Sequence, residues 1–411
     1  MKKKWRCLIV IGFLSVLCVT SSSCQSNKNK SNSISLTVIT DPSIRKEVED
    51  VANFMEEISE VKIKLNVLPS MQSERDAEIQ KLRTKIMSGK GADVYLMDTN
   101  EDAAEIKTEL FENPYKSMQS GVFASLDKYM DKDSYWKDST YNTSLLTAGQ
   151  YEGKQYILPL SCYYYVFSGE TLLGDEMGNN LEEWMAYAKT SSDPRIRATL
   201  GRAMYLAAGR WFQPAVDYKK KTVKFDKEKW KTFAGSYLQF CQETMQEDVD
   251  LTDSSYQFGA IRSYHGSNIA FAHVMPDLEG RKMASVMTYG AVGMNSEHKK
   301  EAYRFLMLFL NSEMQENKGV TEIFKESVGM TVQQNKISDW LFDRSEKEIL
   351  QVEESFKELD GAYFITNVEK NLLSNIRKTV EYGVEPAQGW EKYASNLADQ
   401  IWHEYEISLK E

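Results

Sequence analysis

The sequence predicts an α/β protein with two domains. Strand-like and helix-like segments alternate over residues 33–98, helical segments dominate residues 181–246, and strand character returns over residues 267–295. A chain of 411 residues is also longer than one hydrophobic core usually serves. Its 42% hydrophobic and 27% charged residues are typical of a soluble globular protein.

The segment that starts at Ser33 predicts a β-α-β-α-β order. Its strands alternate and are rich in β-branched residues, and its helices carry apolar residues three and four positions apart. The predicted elements are strand 33–40, helix 41–59, strand 61–69, helix 73–91 and strand 92–98. This order predicts a parallel sheet covered by helices, with right-handed crossovers.

The middle and the end of the chain add further elements. Aromatic-rich helices are predicted over 181–190, 202–212 and 227–243, with a small hairpin in "QPAVDYKKKTVKFDKEKW". Strands follow over 267–277 and 284–295, and then helices over 296–315 and 390–411. Sheet-forming segments on both sides of a helical middle predict that the chain crosses between its domains more than once.

The N-terminus has the features of a targeting segment. A basic start precedes "CLIVIGFLSVLCV", about 13 apolar residues where a membrane-spanning helix needs about 20. The small residues before Cys24 resemble a lipoprotein signal, in which that cysteine becomes lipid-modified; an ordinary cleaved signal is the alternative. The polar run after Cys24 is typical of a flexible tether. We therefore expect a signal peptide over 1–23 and a tether over 24–32.

The charge balance argues against a nucleic-acid partner. Removing residues 1–23 takes away four positive charges, which moves the net charge from −10 to about −14.

Beyond Cys24 only Cys162 and Cys241 remain. They are either one disulfide or two buried thiols, a choice that the sequence leaves open.

Motifs for cofactor or metal chemistry are missing. No Gly-x-x-x-x-Gly-Lys-Ser/Thr loop occurs, the four histidines lack metal-ligand spacing, and no Gly-x-Ser-x-Gly elbow is present. We therefore predict no cofactor, no metal and no catalytic residues. A carboxylate pair for glycoside hydrolysis stays open, because 60 acidic residues offer many pairs.

Five stretches resemble the extracellular solute-binding proteins of family 1, the lipid-anchored receptors of ATP-driven importers. They occur in the family's order and are "SGKGADVYLMD", "YEGKQYILPLS", "AVDYKKKTVKFDKEKW", "YGAVGMNSEHKKEAYRFLMLFLNSEMQ" and "ESVGMTVQQN". The resemblance implies a periplasmic-binding-protein-like fold of two lobes, each a mainly parallel sheet flanked by helices, joined by several hinge crossings. It places lobe 1 at 33–158 plus 265–312 and lobe 2 at 159–264 plus 313–411.

The resemblance also implies a function. The chain would be a monomeric, non-enzymatic receptor on the extracellular face of the cell membrane, held there through Cys24. It would bind a sugar or oligosaccharide between its lobes and deliver it to an ABC permease. Two alternatives are a surface polysaccharide-degrading lipoprotein and a ligand sensor for a membrane histidine kinase with the same fold.

Candidate ligand contacts come from strand ends and from aromatic residues near the expected crossings. Ligands of open α/β sheets gather at the carboxyl ends of strands. Tyrosine and tryptophan combine an apolar ring with a polar group, so they suit a sugar's apolar face and hydroxyl rim. The set is Asp41, Asp98, Asn100, Tyr163, Tyr164, Tyr165, Trp211, Tyr264 and Tyr289.

Packing is the alternative role for each aromatic residue in that set. Side chains alternate along a strand, so Tyr163 and Tyr165 should share one face and Tyr164 should lie on the other. Which of these faces opens toward the cleft is not decided by the sequence, and neither is the identity of the ligand.

Overall fold

The computed structural model describes residues 33–99, 107–174, 176–252, 255–261, 269–311, 329–341, 344–383 and 386–410, and these segments contain the predicted mixture of strands and helices. The predicted signal peptide, the predicted tether with Cys24, and the candidate residues Asn100 and Tyr264 lie outside these residues. Residues Ile34–Glu411 form one compact unit.

The strands follow the predicted order along the chain. They are β1 (Ser35–Thr40), β2 (Lys62–Val67), β3 (Val94–Asp98), β4 (Gln150–Tyr151), β5 (Lys154–Gln155), β6 (Ile157–Tyr163), β7 (Tyr165–Gly169), β8 (Val216–Asp217), β9 (Thr222–Val223), β10 (Tyr256–Ala260), β11 (Phe271–Val274), β12 (Met283–Val292), β13 (Met330–Thr331) and β14 (Gly361–Tyr363).

The helices lie between them and at the end. They are α1 (Arg45–Ile58), α2 (Gln72–Met87), α3 (Pro114–Gln119), α4 (Asp127–Met130), α5 (Tyr135–Asp138), α6 (Leu181–Thr190), α7 (Pro194–Ala203), α8 (Lys227–Met245), α9 (Lys299–Leu308), α10 (Ile337–Trp340), α11 (Glu346–Lys357), α12 (Asn367–Glu381) and α13 (Trp390–Lys410). Short 3₁₀ turns include Pro42–Ile44 and Met204–Arg210.

A seven-stranded mixed sheet, the large sheet, forms the first layer. Its order is β13-β6-β12-β3-β1-β2, with β14 paired to β12. Strands β1, β2 and β3 are parallel, as their β-α-β-α-β order predicts, with α1 and α2 as the crossovers. Strands β6 and β12 are antiparallel to each other, and β12 is antiparallel to β3.

A second sheet, the small sheet, has the order β10-β7-β11. Both of its pairings are antiparallel, so it differs from the mainly parallel sheet that we expected in each lobe. The reason lies in the path of the chain. Strand β7 carries the chain away from the large sheet and β11 brings it back, so the two strands run in opposite directions.

The two sheets are joined at the tyrosine stretch. Strand β6 ends at Tyr163 in the large sheet and β7 begins at Tyr165 in the small sheet, with Tyr164 between them. The chain returns between Val274 and Met283, from β11 to β12. The chain therefore passes between the two sheets at Tyr164 and again between Val274 and Met283.

The two remaining cysteines are free thiols. Cys162 lies in β6 and Cys241 in α8, and both are buried and unbridged. Burial raises the pKa of each thiol to about 12. Two buried thiols is thus the alternative that the structure selects.

Candidate functional site

One edge of the large sheet faces the small sheet, and most of the described candidates lie along it. Strands β1, β3 and β6 end at this edge and β12 begins there. The register places Asp98 opposite Thr288 and Tyr163 opposite Ser285. Three residues of strand separate Ser285 from Thr288, about 10 Å. We call this edge, from Asp41 to Tyr163, the strand-end edge.

Both carboxylate oxygens of Asp41 accept hydrogen bonds from other residues of the protein. Its side chain is 1% exposed and its Oδ1 accepts a hydrogen bond from Arg75 Nη2 at 2.5 Å. Its Oδ2 accepts from the backbone N–H of Asp98 at 3.1 Å. Burial raises the pKa of Asp41 to about 6, against the opposing effect of the Arg75 guanidinium. Asp41 thus ties the end of β1 to β3 and to α2.

Asp98 lies next to it and faces the start of α1. Its Oδ2 accepts a hydrogen bond from Ser43 Oγ at 2.6 Å, and the residue is 7% exposed. Sheet pleating places Asp98 on the same face as its register partner Thr288, whose hydroxyl is 2.6 Å from Ser161 Oγ. This face of the edge therefore carries a row of oxygen atoms.

Close to Asp41 and Asp98 lies a buried ion pair that no sequence pattern indicated. Lys370 Nζ contacts Glu109 Oε1 and donates a hydrogen bond to the carbonyl of Thr99 at 2.6 Å. Burial raises the pKa of Glu109 to about 7, Lys370 opposes this shift, and Asp41 and Asp98 add to it. The two partners are 261 residues apart in the chain, so only the fold brings them together.

Tyr289 lies on β12 beside these carboxylates. It is 3% exposed, and its ring meets Phe364 edge-to-face with centroids 5.1 Å apart. Burial raises the pKa of Tyr289, and the charges of Glu109, Asp41 and Asp98 act in the same direction. The Tyr289 hydroxyl therefore stays protonated.

The three consecutive tyrosines alternate as predicted. Tyr163 and Tyr165 both lie against the guanidinium of Arg210, whose Cζ is 4.4 Å and 4.7 Å from their ring centroids. Tyr164 points the other way, and its hydroxyl is 2.8 Å from Ser355 Oγ on α11. All three are buried, at 0%, 8% and 0% exposure for Tyr163, Tyr165 and Tyr164. Tyr164 is thus anchored away from Arg210.

Arg210 is a further site residue that was not predicted from the sequence. It is 4% exposed, and its Nε donates a hydrogen bond to Ser285 Oγ at 2.9 Å. Tyr165 Oη donates a hydrogen bond at 3.0 Å to the carbonyl of Leu206, which lies four residues before Arg210 in the chain. Guanidinium groups stack well on aromatic faces, so a tyrosine pair on one strand face was the available signal for a nearby arginine. Arg210 contacts the ends of both sheets.

Trp211, in contrast, belongs to the hydrophobic core. It is fully buried among Trp230, Phe233 and Tyr237, with ring centroids 5.1–5.9 Å away, and its indole N–H donates to the carbonyl of Met204. Packing, the alternative weighed for this residue, accounts for all of these contacts. We do not retain Trp211 as a ligand contact.

Among the described residues, no group of three or more His, Cys, Asp or Glu side chains is arranged to hold a metal ion. None of the helices in these segments combines the length and the apolarity needed to cross a bilayer.

Comparisons with known proteins place these features in context. The sequence profile of the bacterial extracellular solute-binding proteins matches residues 37–316. Comparison with curated protein sequences found no significant match.

Several solved structures share the fold at low sequence identity. An extracellular solute-binding protein family 1 member from Alicyclobacillus acidocaldarius aligns with a TM-score of 0.60 and 14% identity, covering 92% of this chain and 99% of that one. The sugar-binding protein MalE from Xanthomonas citri aligns with a TM-score of 0.58 and 12% identity, over 91% and 98%. The cyclic α-maltosyl-1,6-maltose binding protein from Arthrobacter globiformis gives 0.52 and 14%, over 91% and 99%.

Proposed function

Because this chain belongs to the bacterial extracellular solute-binding proteins, we propose that it captures a carbohydrate between its two lobes and passes it unchanged to an ABC importer. The fold is the two-lobed one of its structural neighbours, at 14% and 12% identity. The carbohydrate and the importer are the proposed part.

The observation that carries this proposal is the juxtaposition at the junction of the two sheets. Asp98 and the Tyr163–Arg210–Tyr165 cluster lie along one edge, linked by β12. Ligand pockets combine aromatic surface with a few convergent polar groups and often lie between domains. A pyranose offers an apolar C–H face to rings and hydroxyls to carboxylates, so both features suit a sugar. Asp98, Tyr163, Tyr165 and Tyr289 are the described candidates that we retain.

The neighbours favour the same class of ligand. The Xanthomonas citri protein is described as sugar-binding and the Arthrobacter globiformis protein as binding a cyclic maltosyl-maltose. At such low sequence identity, the likeness to these structures shows the fold alone. Carbohydrate binding by this chain is therefore a proposal.

Closure of the lobes would use the two sheet-to-sheet connections. A ligand that contacts both lobes favours the closed state by its differential affinity for that state. The backbone at Tyr164 and the segment between Val274 and Met283 join the sheets. We propose that the hinge acts at these two places.

The proposed location is the outer face of the cell membrane. The family is extracellular, and the N-terminal segment has the basic start, apolar stretch and cysteine of a lipoprotein signal. We propose that Cys24 carries the lipid and that residues 24–32 tether the body.

A thermal-shift screen across mono- and oligosaccharides tests the function. A sugar present at 100 times its Kd should stabilise the protein by about 2.7 kcal/mol, a visible rise in melting temperature. Mass spectrometry of the recovered sugar completes the test. An unaltered sugar supports a receptor, cleaved sugar supports the polysaccharide-degrading alternative, and the absence of any shift argues against carbohydrate binding.

A further inference from the structure

Glu47 is a buried carboxylate that lacks a hydrogen-bond partner in any other residue of the described segments. It lies in the first turn of α1 and is 1% exposed, and neither Oε1 nor Oε2 is satisfied. Buried polar groups are nearly always hydrogen-bonded, and an unpaired buried carboxylate is costly. Such an exception calls for an explanation, and a functional role is one of those known for buried unsatisfied groups.

The hydroxyl of Thr40 is a second unsatisfied group nearby. Thr40 ends β1 and is fully buried, and its Oγ1 has no hydrogen-bond partner in the part of the chain that the structure describes. In the register, Thr40 pairs with Leu96, so pleating places it on the same sheet face as Asp98, two residues further along β3. A hydroxyl can donate hydrogen bonds as well as accept them, whereas an ionised carboxylate only accepts them. The unsatisfied Thr40 hydroxyl is therefore a second observation, separate from the unsatisfied Glu47 carboxylate.

Glu47 belongs to the same end of the sheet. It follows Ser43 by four residues, about one helical turn, and Ser43 Oγ donates to Asp98 Oδ2 at 2.6 Å. The charge of Asp98 also acts on Glu47. The start of α1 therefore presents Glu47 to the strand-end edge.

We propose that Glu47 is a ligand-binding residue that accepts hydrogen bonds from a donor-rich group of the solute, with the Thr40 hydroxyl beside it. An ionised carboxylate only accepts hydrogen bonds, so its partner must supply donors. Adjacent sugar hydroxyls and a protonated amine both do so. The inference rests on the proposed function and adds a specificity residue to that site.

The protonation of Glu47 gives the proposal a pH signature. Burial raises the pKa of Glu47 to about 6; Asp50 and Asp98 also raise it, while the residue's own N–H and Lys46 oppose the shift. These three charged side chains are the ones that act on Glu47 from its own helix and from β3. Since the acceptor form is the ionised one, solute affinity should fall as the pH drops below about 6.

The test compares Glu47→Gln with the wild-type protein by calorimetry at pH 7.5 and pH 5.5. The probes are maltose and maltotetraose, which are neutral, and the β-1,4-linked glucosamine disaccharide, which is cationic. We expect Glu47→Gln to weaken the bound probe about tenfold or more at pH 7.5, because hydrogen bonds to charged groups are the stronger ones. The wild type should lose affinity at pH 5.5, and the variant should lose much less.

Glu348→Gln is the matched control. Glu348 is a buried glutamate, 4% exposed, with one unsatisfied oxygen, and it lies in the capping box of α11, where glutamine also caps. It should leave affinity and its pH dependence unchanged. A preference for the neutral or the cationic probes identifies the source of the donors.

The outcomes separate this inference from the proposed function. Wild-type binding that is equally strong in Glu47→Gln at both pH values overturns the role of Glu47 and leaves the receptor standing. Failure of the wild type to bind any of the three probes or any other sugar overturns both. If Glu47→Gln does not fold, the wild-type pH profile and the near-isosteric Thr40→Val variant, expected to bind severalfold more weakly, decide the question.

Discussion

The guanidinium of Arg210 packs against two rings that belong to different sheets, with its Cζ 4.4 Å from the Tyr163 ring centroid and 4.7 Å from that of Tyr165. Tyr163 ends β6 in the large sheet and Tyr165 begins β7 in the small one. The Nε atom of Arg210 also donates a hydrogen bond to Ser285 Oγ on β12. One buried cation therefore fixes the relative position of both sheet ends.

Replacing this cation should destabilise the protein. Arg210→Lys loses the planar group that stacks on two rings, and cation–π contacts are worth about 2 kcal/mol when desolvated. We expect a loss of about 2 kcal/mol in urea unfolding. Arg195→Lys is the matched control, because Arg195 also lies over a tyrosine, Tyr256, but is 47% exposed. Equal effects of the two changes would contradict the role assigned to Arg210.

Phenylalanine substitutions separate the two faces of the tyrosine stretch. Tyr164→Phe removes the hydrogen bond with Ser355 and should cost about 1 kcal/mol of stability. It should leave sugar affinity unchanged, because Tyr164 faces α11 instead of Arg210. Tyr163→Phe should weaken sugar binding if its hydroxyl contacts the ligand. The measurements are urea unfolding and calorimetric titration; a loss of affinity in Tyr164→Phe alone would reverse the assignment of faces.

Asp98→Ala should weaken sugar binding about tenfold or more without unfolding the protein. The reason is that hydrogen bonds to charged groups contribute about 1.5–3 kcal/mol. Ser43→Ala removes one internal hydrogen bond to Asp98 and serves as the control for local disruption. Circular dichroism checks folding, and titration calorimetry measures affinity. Unchanged affinity in Asp98→Ala would remove this residue from the site.

Stability should fall as the pH rises from about 4.5 to about 7. Burial raises the pKa of Glu109 from 4.5 to about 7 and that of Asp41 from 3.8 to about 6. In this range the folded state therefore binds more protons than the unfolded state, and the free energy of unfolding decreases with pH. Urea unfolding at several pH values measures the slope. Glu109→Gln should flatten it, whereas Glu112→Gln, at an exposed glutamate paired with Arg83, should not. A slope that rises through this range in the wild type would show that Glu109 and Asp41 are not protonated as proposed.

Cys24→Ala should release the protein from the membrane. Without the thiol no lipid can be attached at the proposed position, and fractionation of cells should find the variant in the soluble fraction. A serine at position 23 is a suitable neighbouring control, since Ser23→Ala leaves the cysteine in place. A Cys24→Ala protein that stays in the membrane fraction would indicate that an uncleaved apolar segment holds it.

The parts of the fold that follow a local period were predictable. Helical spacing and strand alternation located β1, α1, β2, α2 and β3, and pleating alone placed Tyr163 and Tyr165 on one face. Residues 157–169, in contrast, resemble one continuous strand, because nothing in the side-chain pattern marks where the hydrogen-bonding partners change. The exchange of sheets at Tyr164 therefore needed the structure.

The candidate site was less predictable, because its contacts are between distant segments. The sequence predicts Trp211 as a ligand contact, because tryptophan combines an apolar ring with a polar group, whereas its neighbour Arg210 carries no such signal of its own. The Glu109–Lys370 pair and the isolated Glu47 leave no mark on local sequence. Strand ends indicate where a site lies, but burial decides which of its carboxylates are already engaged.

Cys162 is a native thiol probe for local opening of the junction between the two sheets. It lies one residue before the tyrosine stretch, it is fully buried, and its raised pKa keeps it protonated and slow to react. With Cys241 replaced by alanine, the rate at which a thiol reagent modifies Cys162 would report how often β6 opens and exposes this side chain. The junction between the sheets can thus be timed without adding a foreign label.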